Sequence, residues 1–435
     1  MAEQEIISVR EKTRRLYSAL FVSFMRVAFF VVSFFDEKAR RGLRGRKDLF
    51  AKLAKDLSTV PDERRIWFHA SSLGEFEQAK PIIEKLKASG YSIVASFFSP
   101  SGYEYSKNYP LADVITYIPF DTRTNAVRFI DLVKPRAVVV MRYDLWMNHL
   151  IAAKEAGARI ILADATFPVK LIHRAKFLKD FFRELYGLAD EILVTGPEHK
   201  KMFDFFLGRE KSMVVGDTRF DRVYQKSLSN EVSQKFPVEI DKAKRTVLVL
   251  GSTWRQDIDI VTPGIKRLLT RFSQLTVLIV PHEPEKEEVS ELRSAFPAAA
   301  VLSEIEQKNR DDHKIVIVDR IGLLTQLYVL ADVAYVGGGF GSGVHSVLEP
   351  AVYGVPIITG PRIEKSDEAL QLHKNGALFF VRNQAEAYRI LLKMMEFTDV
   401  RRKAGRVAGD YVGGNLGASS TVARRVELAF DGKNS

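Results

Sequence analysis

Residues 69–77 read His-Ala-Ser-Ser-Leu-Gly-Glu-Phe-Glu, between the apolar run Ile66-Trp67-Phe68 and a helix-like run from Gln78 to Lys87. Ser72 stands three residues before Glu75, the spacing of a reciprocal helix capping box. The same carboxylate, just past the carboxyl end of a strand, could instead serve as a general base. The two roles predict different geometry. A capping Glu75 turns back onto the Ser72 backbone N–H; a base presents its carboxylate to a ligand and leaves Ser72 to cap alone.

A second stretch, Val336-Gly-Gly-Gly-Phe-Gly-Ser-Gly-Val-His-Ser-Val-Leu-Glu-Pro-Ala351, follows an apolar strand and enters a short helix. Its glycines let backbone approach a ligand closely, and the helix start offers free N–H groups to a phosphate. The spacing is not the dinucleotide fingerprint, and no Lys-Ser/Thr pair follows to make a Walker A loop. Glu349 is placed to accept the hydroxyls of a ribose or to face a helix N-terminus. Gly251-Ser252-Thr253 forms another strand-to-helix turn, whose hydroxyls could donate to phosphate or cap the helix. His282, in Pro281-His-Glu-Pro-Glu285, ends the next strand and is either a ligand contact or a loop residue. Asp257 and Asp259 form a literal Asp-x-Asp, but both lie in a first helical turn, where negative charge is favoured without a metal.

These residues need elements to hold them. Strand candidates at Ile66–Ala70, Ser92–Phe97, Ala137–Met141, Ile160–Ala163 and Glu191–Thr195 alternate with helical runs. A second set follows at Thr246–Gly251, Leu275–Val280, Ala300–Leu302, Ile315–Val318, Val333–Val336, Pro356–Thr359 and Ala377–Val381. Alternation of this kind predicts an α/β protein with two doubly wound parallel-sheet domains, Rossmann-like, and a cleft between them. The predicted boundaries are 1–48 for an N-terminal membrane-associating helix and basic flank, 49–223 for the first domain, 224–235 for a polar linker and 236–435 for the second domain.

Residues 16–35 are mostly apolar and long enough to cross a bilayer, but Arg26 sits mid-segment. On a 100° wheel Arg15, Ser18, Arg26 and Ser33 form a narrow polar stripe, which suits a helix lying in the membrane interface or packed on its own domain. Basic residues flank both ends, and those downstream favour a cytoplasmic main body. The chain of 435 residues contains no cysteine, which excludes disulfides and thiolate chemistry, and its net charge of +11 suits an anionic partner. No recognition helix, RNA-binding aromatic signature or zinc spacing points to nucleic acid.

In order and spacing, Ser-Ser-Leu-Gly-Glu-Phe-Glu at 71–77, Gly216-Asp-Thr-Arg-Phe-Asp221, Gly251-Ser-Thr253, Pro281-His-Glu-Pro-Glu285 and Gly337 through Ala351 resemble the Kdo transferases, over nearly the whole chain. Those enzymes move 3-deoxy-D-manno-oct-2-ulosonic acid (Kdo) from CMP-Kdo to a lipid A precursor. The resemblance implies a GT-B glycosyltransferase fold, with an acceptor-binding N-terminal domain and a CMP-binding C-terminal domain. It implies inverting transfer without a metal or other cofactor at the cytoplasmic face of the inner membrane, with Glu75 as catalytic base. Ser71, Ser72, Gly74 and Arg142 would then meet the acceptor. Arg219, Gly251, Ser252, Thr253, His282, Gly338, Gly339, Phe340, Gly341, Ser346 and Glu349 would meet the donor. The partners implied are CMP-Kdo, the lipid A precursor and the anionic membrane surface. This sequence departs from the family at Arg142, where an acid is usual, at His282-Glu283, and at Ser346, where Asn is usual. Other GT-B enzymes, such as UDP-sugar transferases and nucleotide-sugar epimerases, share the domain pattern, and a non-enzymatic membrane-surface protein would share the charge.

Overall fold

A computed structural model describes residues 13–169, 172, 178–228, 240–305 and 313–431. The chain divides into two compact units. One runs to Arg222 and resumes at Gly417; the other is Val223–Leu416.

The first unit opens with α1 (Thr13–Val32), α2 (Glu37–Gly45) and α3 (Leu49–Leu57). Its strands are β1 (Arg65–Ala70), β2 (Ser92–Phe97), β3 (Val114–Tyr117), β4 (Ala137–Met141), β5 (Arg159–Ala165), β6 (Glu191–Val194) and β7 (Ser212–Val214). They form one parallel sheet in the order β3-β2-β1-β4-β5-β6-β7. Every residue of β1, β2 and β4 is buried, as expected where helices cover both faces of a parallel sheet. Helices α4 (Leu73–Ala88) and α5 (Met147–Glu155) follow β1 and β4, and α6 (Thr218–Leu228) follows β7. The expected linker therefore begins as helix, Tyr224 to Leu228 completing α6; 229–239 lie outside the described residues.

The two sheet faces are covered differently. Trp67, Val94, Val138 and Ile160 pack with Tyr17 and Val22 of α1. Ile66, Phe68, Ile93 and Val139 pack with Phe76 and Ile82 of α4 and with Val422, Ala423 and Val426. The last three belong to the C-terminal helix Ala418–Asp431, which corrects the expected second-domain boundary at 435. A carboxylate fixes that return: Asp221 accepts from the backbone N–H groups of Gly417 (2.8 Å) and Ser419 (2.7 Å) at the helix start.

Helix α1 lies along the first unit and is tied at both ends. Arg14 Nε donates to Asn148 Oδ1 at 2.9 Å, and Tyr17 OH donates to Asp121 Oδ2 at 2.8 Å. At the other end Phe29 meets the rings of Phe98 and Phe120 edge-on. The Arg46 guanidinium sits 5.0 Å from the Phe98 ring centroid and 5.3 Å from that of Phe120, donating to the carbonyls of Ile118, Gly42 and Phe98. The opposite face exposes Leu16, Leu20, Phe24, Val27 and Phe30, and Phe35 is exposed just beyond the helix. The polar stripe expected from the wheel does not hold together. Arg15 and Arg26 are exposed, whereas Ser33 is buried. A π-helical stretch, Tyr17–Val22, turns more slowly than 100° per residue and rotates one end of the helix against the other.

The second unit holds β8 (Thr246–Thr253), α7 (Arg255–Arg271), β9 (Leu275–Pro281), β10 (Ala300–Val301), β11 (Ile315–Ile317), β12 (Val333–Val336), α8 (Leu348–Ala351), β13 (Ile357–Thr359) and β14 (Leu378–Phe380). The sheet is again parallel, ordered β10-β11-β9-β8-β12-β13-β14. In each sheet the chain reverses its direction of winding once, between β1 and β4 and between β8 and β12. Such switch points leave a crevice at the carboxyl ends of the two strands. Glu75 and Arg142 follow β1 and β4; Gly251–Thr253 and the glycine-rich loop follow β8 and β12.

Candidate active site

In the first unit Glu75 is the third residue of α4 and is 8% exposed. Its Oε2 accepts from the backbone N–H of Ser71 (2.5 Å) and of Ser72 (3.1 Å), while the Glu75 N–H reaches Ser72 Oγ at 3.4 Å. The capping box is therefore formed, and the expectation that a base would leave Ser72 to cap alone is not met. The cap engages one oxygen. Oε1 has no hydrogen bond among the described residues. Burial, and next the negative charge of Asp144, push the Glu75 carboxyl above its ordinary value, and the N–H groups of Ser72 and Ser71 offset only part of this.

Asp144 stands two residues past the strained residue Arg142, whose φ is 62°. Its Oδ2 lies 2.9 Å from His69 Nε2 and 3.1 Å from Trp146 Nε1. Burial opposes ionisation, but the interactions with His69 and Trp146 help to outweigh it, and the carboxyl is held below its usual value. Arg142 turns its Nε onto Gln78 Oε1 at 2.9 Å, one turn along α4 from Glu75. Ser71 and Ser72 are half-buried and Gly74 is exposed at the same turn. The structure thus gathers Glu75 and all four expected acceptor residues, and adds Asp144, His69 and Trp146.

Arg219, expected with the donor group, belongs to the first unit. Its Nη2 and Nε hold Asp217 Oδ2 at 2.7 and 2.9 Å. The neighbouring Thr218 donates its N–H to Asp164 Oδ1 at 3.2 Å and its hydroxyl to Asp164 Oδ2. Asp164 is fully buried, and burial together with the charge of Asp217 raises its pKa. Each polar residue of the Gly216–Asp221 motif therefore has a structural partner.

In the second unit the glycines meet other backbone. A Cβ on Gly337 would lie 2.2 Å from the Ser252 carbonyl oxygen, so only glycine lets the ends of β12 and β8 touch. Gly338 has φ 90°, and its N–H donates to Asp257 Oδ2 at 3.0 Å. Asp257 also accepts from Trp254 N (2.9 Å) and Tyr335 OH (2.8 Å), a cap and a brace. Among the described residues no group of three His, Asp or Glu is placed to hold a metal ion. With Trp254 capped by Asp257, Ser252 and Thr253 do not cap α7. Thr253 is fully buried, and its Oγ1 has no partner among the described residues.

Gly339 is buried against the Gly360 backbone, and Phe340 packs on the core. Gly341 O accepts from Arg362 Nη1, and Lys365 Nζ reaches Ser342 O at 2.8 Å. Ser346 is exposed, and Glu349, half-buried on the four-residue helix α8, is close enough to raise the pKa of the buried Tyr328 and Tyr353 phenols further. His282 is exposed and stacks on His345 with centroids 4.4 Å apart, and Trp254 lies 4.5 Å from His282. Indole N–H only donates. Trp254 Nε1, 2.9 Å from His345 Nε2, therefore fixes that nitrogen as an acceptor and His345 as neutral. Burial, and next the neighbouring His282, lower the His345 pKa, in agreement. Trp254, His345, Arg362 and Lys365 were not anticipated; the two aromatic ones could have been found by asking which residues follow each strand end at the switch point.

Solved structures of the same fold support the class. The UDP-GlcNAc 2-epimerase of Neisseria meningitidis bound to UDP-GlcNAc superposes with a TM-score of 0.61 over 84% of this chain and 99% of that one, at 14% identity. MurG of Acinetobacter baumannii gives 0.50 over 84% and 99%, at 13%. Two doubly wound units with loops gathered at their switch points define a GT-B protein, and the sequence relatives make it a glycosyltransferase. Residues 41–222 match the family described as 3-deoxy-D-manno-octulosonic-acid transferase (kdotransferase). The enzyme of that name from Chlamydophila psittaci is 30% identical over 323 residues, 72% of this chain and 73% of its own length. That from Aquifex aeolicus is 29% identical over 341 residues, covering 78% and 87%. The chain belongs to the Kdo transferase family.

Proposed function

We propose that this enzyme transfers Kdo from CMP-Kdo to a lipid A precursor, with inversion, without a metal, and with Glu75 as base. The acceptor hydroxyl attacks the anomeric carbon of Kdo from the face opposite CMP. The new C–O bond forms as the bond to the phosphate oxygen breaks, and CMP leaves with the electron pair. The hydroxyl proton passes to Glu75 Oε1. The observation that carries this reading is the divided carboxylate of Glu75: one oxygen held by two backbone N–H groups, the other without a hydrogen bond. A base fixed in this way needs no reorganisation when the proton moves.

The donor is assigned to the second unit. The Ser252 hydroxyl and the imidazole of His282 supply donors to the departing phosphate, Arg362 and Lys365 supply positive charge, and Glu349 accepts from the ribose. Arg142 is assigned to an anionic group of the acceptor. The exposed apolar face of α1, with Lys38, Arg41, Arg44 and Lys47 exposed beyond it, is assigned to the interface of an anionic membrane, the helix lying flat on its own domain. On this reading the catalytic units work at the cytoplasmic face of the inner membrane. The test is incubation of the enzyme with CMP-Kdo and lipid A precursor, with the product weighed by mass spectrometry. A gain of one or more Kdo units is expected; an unchanged acceptor mass, or protection of the enzyme by UDP rather than CMP, refutes it.

A further inference from the structure

Hydrogen-bond directions beside Glu75 follow from the donor inventory. Trp67 Nε1 can only donate, and it does so to Ser96 Oγ at 2.7 Å. Ser96 is fully buried, and among the described residues its hydroxyl touches only Trp67 and His69. The same oxygen lies 2.9 Å from His69 Nδ1. The imidazole, 1% exposed, sets Nε2 2.9 Å from Asp144 Oδ2, with Trp146 Nε1 3.1 Å from both atoms. Ser71, two residues past His69, closes the line with its backbone N–H on Glu75 Oε2. A Ser-His-Asp order activates a nucleophile only where the serine is reachable, and Ser96 is not. The line ends at the two carboxylates instead.

We propose, on the footing that Glu75 is the base of the transfer, that Asp144 is its positioning residue: an anion held by His69 and Trp146 just past β4, the strand paired with β1, beside the turn whose Ser71 and Ser72 N–H groups hold Glu75, and whose charge keeps that carboxylate strongly basic. Asp144 takes no proton in the reaction. Its charge makes ionised Glu75 less comfortable and so more willing to accept the acceptor's proton. The other groups facing the pair are few. His69, from β1, is bonded to Asp144 and Ser96. Arg142 is turned onto Gln78, and Tyr17 of α1, within electrostatic reach of Asp144, is a phenol that stays uncharged through the assay range.

The experiment measures turnover of CMP-Kdo with lipid A precursor across pH for the full-length enzyme and for Asp144→Asn, Asp144→Glu and Glu75→Gln. A general base works ionised, so the acid limb of kcat follows Glu75. Asp144→Asn is expected to move that limb to lower pH by about half a unit or more and to lower the plateau about ten-fold. Asp144→Glu is expected to restore both. If Asp144→Asn does not fold, Asp144→Ser gives the same readout, because the side chain is 25% exposed and tolerates truncation. A slowed variant whose acid limb stays in place overturns the proposal, because a purely structural role would slow the enzyme without moving it. Wild-type turnover by Glu75→Gln would instead remove Glu75 as the base, and the proposal with it.

Discussion

Replacing Glu75 by Gln separates the two roles of one side chain. Glutamine keeps the length and an amide oxygen, which can still accept from Ser71 and Ser72; Gln is a normal third residue of a capping box. Complete loss of such a cap would cost about 1 kcal/mol. Against this stands the raised Glu75 pKa, caused first by burial and then by Asp144. A carboxyl whose folded pKa exceeds its unfolded value stabilises fully below the unfolded pKa, and that stability is lost as pH rises through the folded pKa. At pH 7 the wild-type carboxylate is thus ionised against its surroundings, and Gln removes that penalty. Glu75→Gln is expected to unfold in urea at the wild-type midpoint or slightly above it at pH 7, and to fall below wild type near pH 4. Turnover, in contrast, is expected to fall by about 10²–10⁴, the usual worth of a positioned base. Glu75→Ala is expected to lose turnover equally and about 1 kcal/mol of stability besides. Loss of stability without loss of turnover in Glu75→Gln would leave Glu75 as a cap alone.

Asp221→Ala removes the acceptor of two N–H groups at the start of the C-terminal helix and is expected to destabilise the first unit by about 1–2 kcal/mol; an unmoved urea midpoint would count against this. Gly337→Ala sets a Cβ 2.2 Å from the Ser252 carbonyl oxygen, so a lower Tm and weaker protection by CMP are expected, and wild-type values of both would refute the close approach. Phe24→Ser and Phe35→Ser, on the exposed face of α1 and just beyond it, are expected to cut sedimentation with phosphatidylglycerol vesicles several-fold without changing Tm. Chelation with EDTA is expected to leave turnover within two-fold; a metal-restored loss would overturn metal independence.

Parallel strands announce themselves, because a run buried on both faces must be apolar throughout; Ala137–Met141 and Val333–Val336 were legible to the residue. Val114–Tyr117 was missed: four residues with a Thr inside, on an edge strand, carry little of that signal. Side-chain direction was not legible at all. The spacing of Ser72 and Glu75 posed cap and base as exclusive, yet a carboxylate has two oxygens, and only coordinates show that one suffices for the cap. His345 and Trp254 lie 91 residues apart, and nothing local foretells their hydrogen bond. The partners of Asp257, Tyr335 and Gly338, come from another strand and its loop, and its spacing to Asp259 foretells neither.

The C-terminal helix carries a consequence for synthesis. Residues that help cover one face of the first sheet leave the ribosome only after the intervening Val223–Leu416. At the usual rate of roughly 5–20 residues per second, that interval lasts on the order of ten to forty seconds. Throughout it, the nascent first unit presents an apolar patch that awaits Val422, Ala423 and Val426, while Asp221 waits to receive Gly417 and Ser419. The second unit matures as an insertion within an unfinished neighbour. A chain released early, anywhere before Gly417, is therefore a client for chaperones rather than a smaller enzyme.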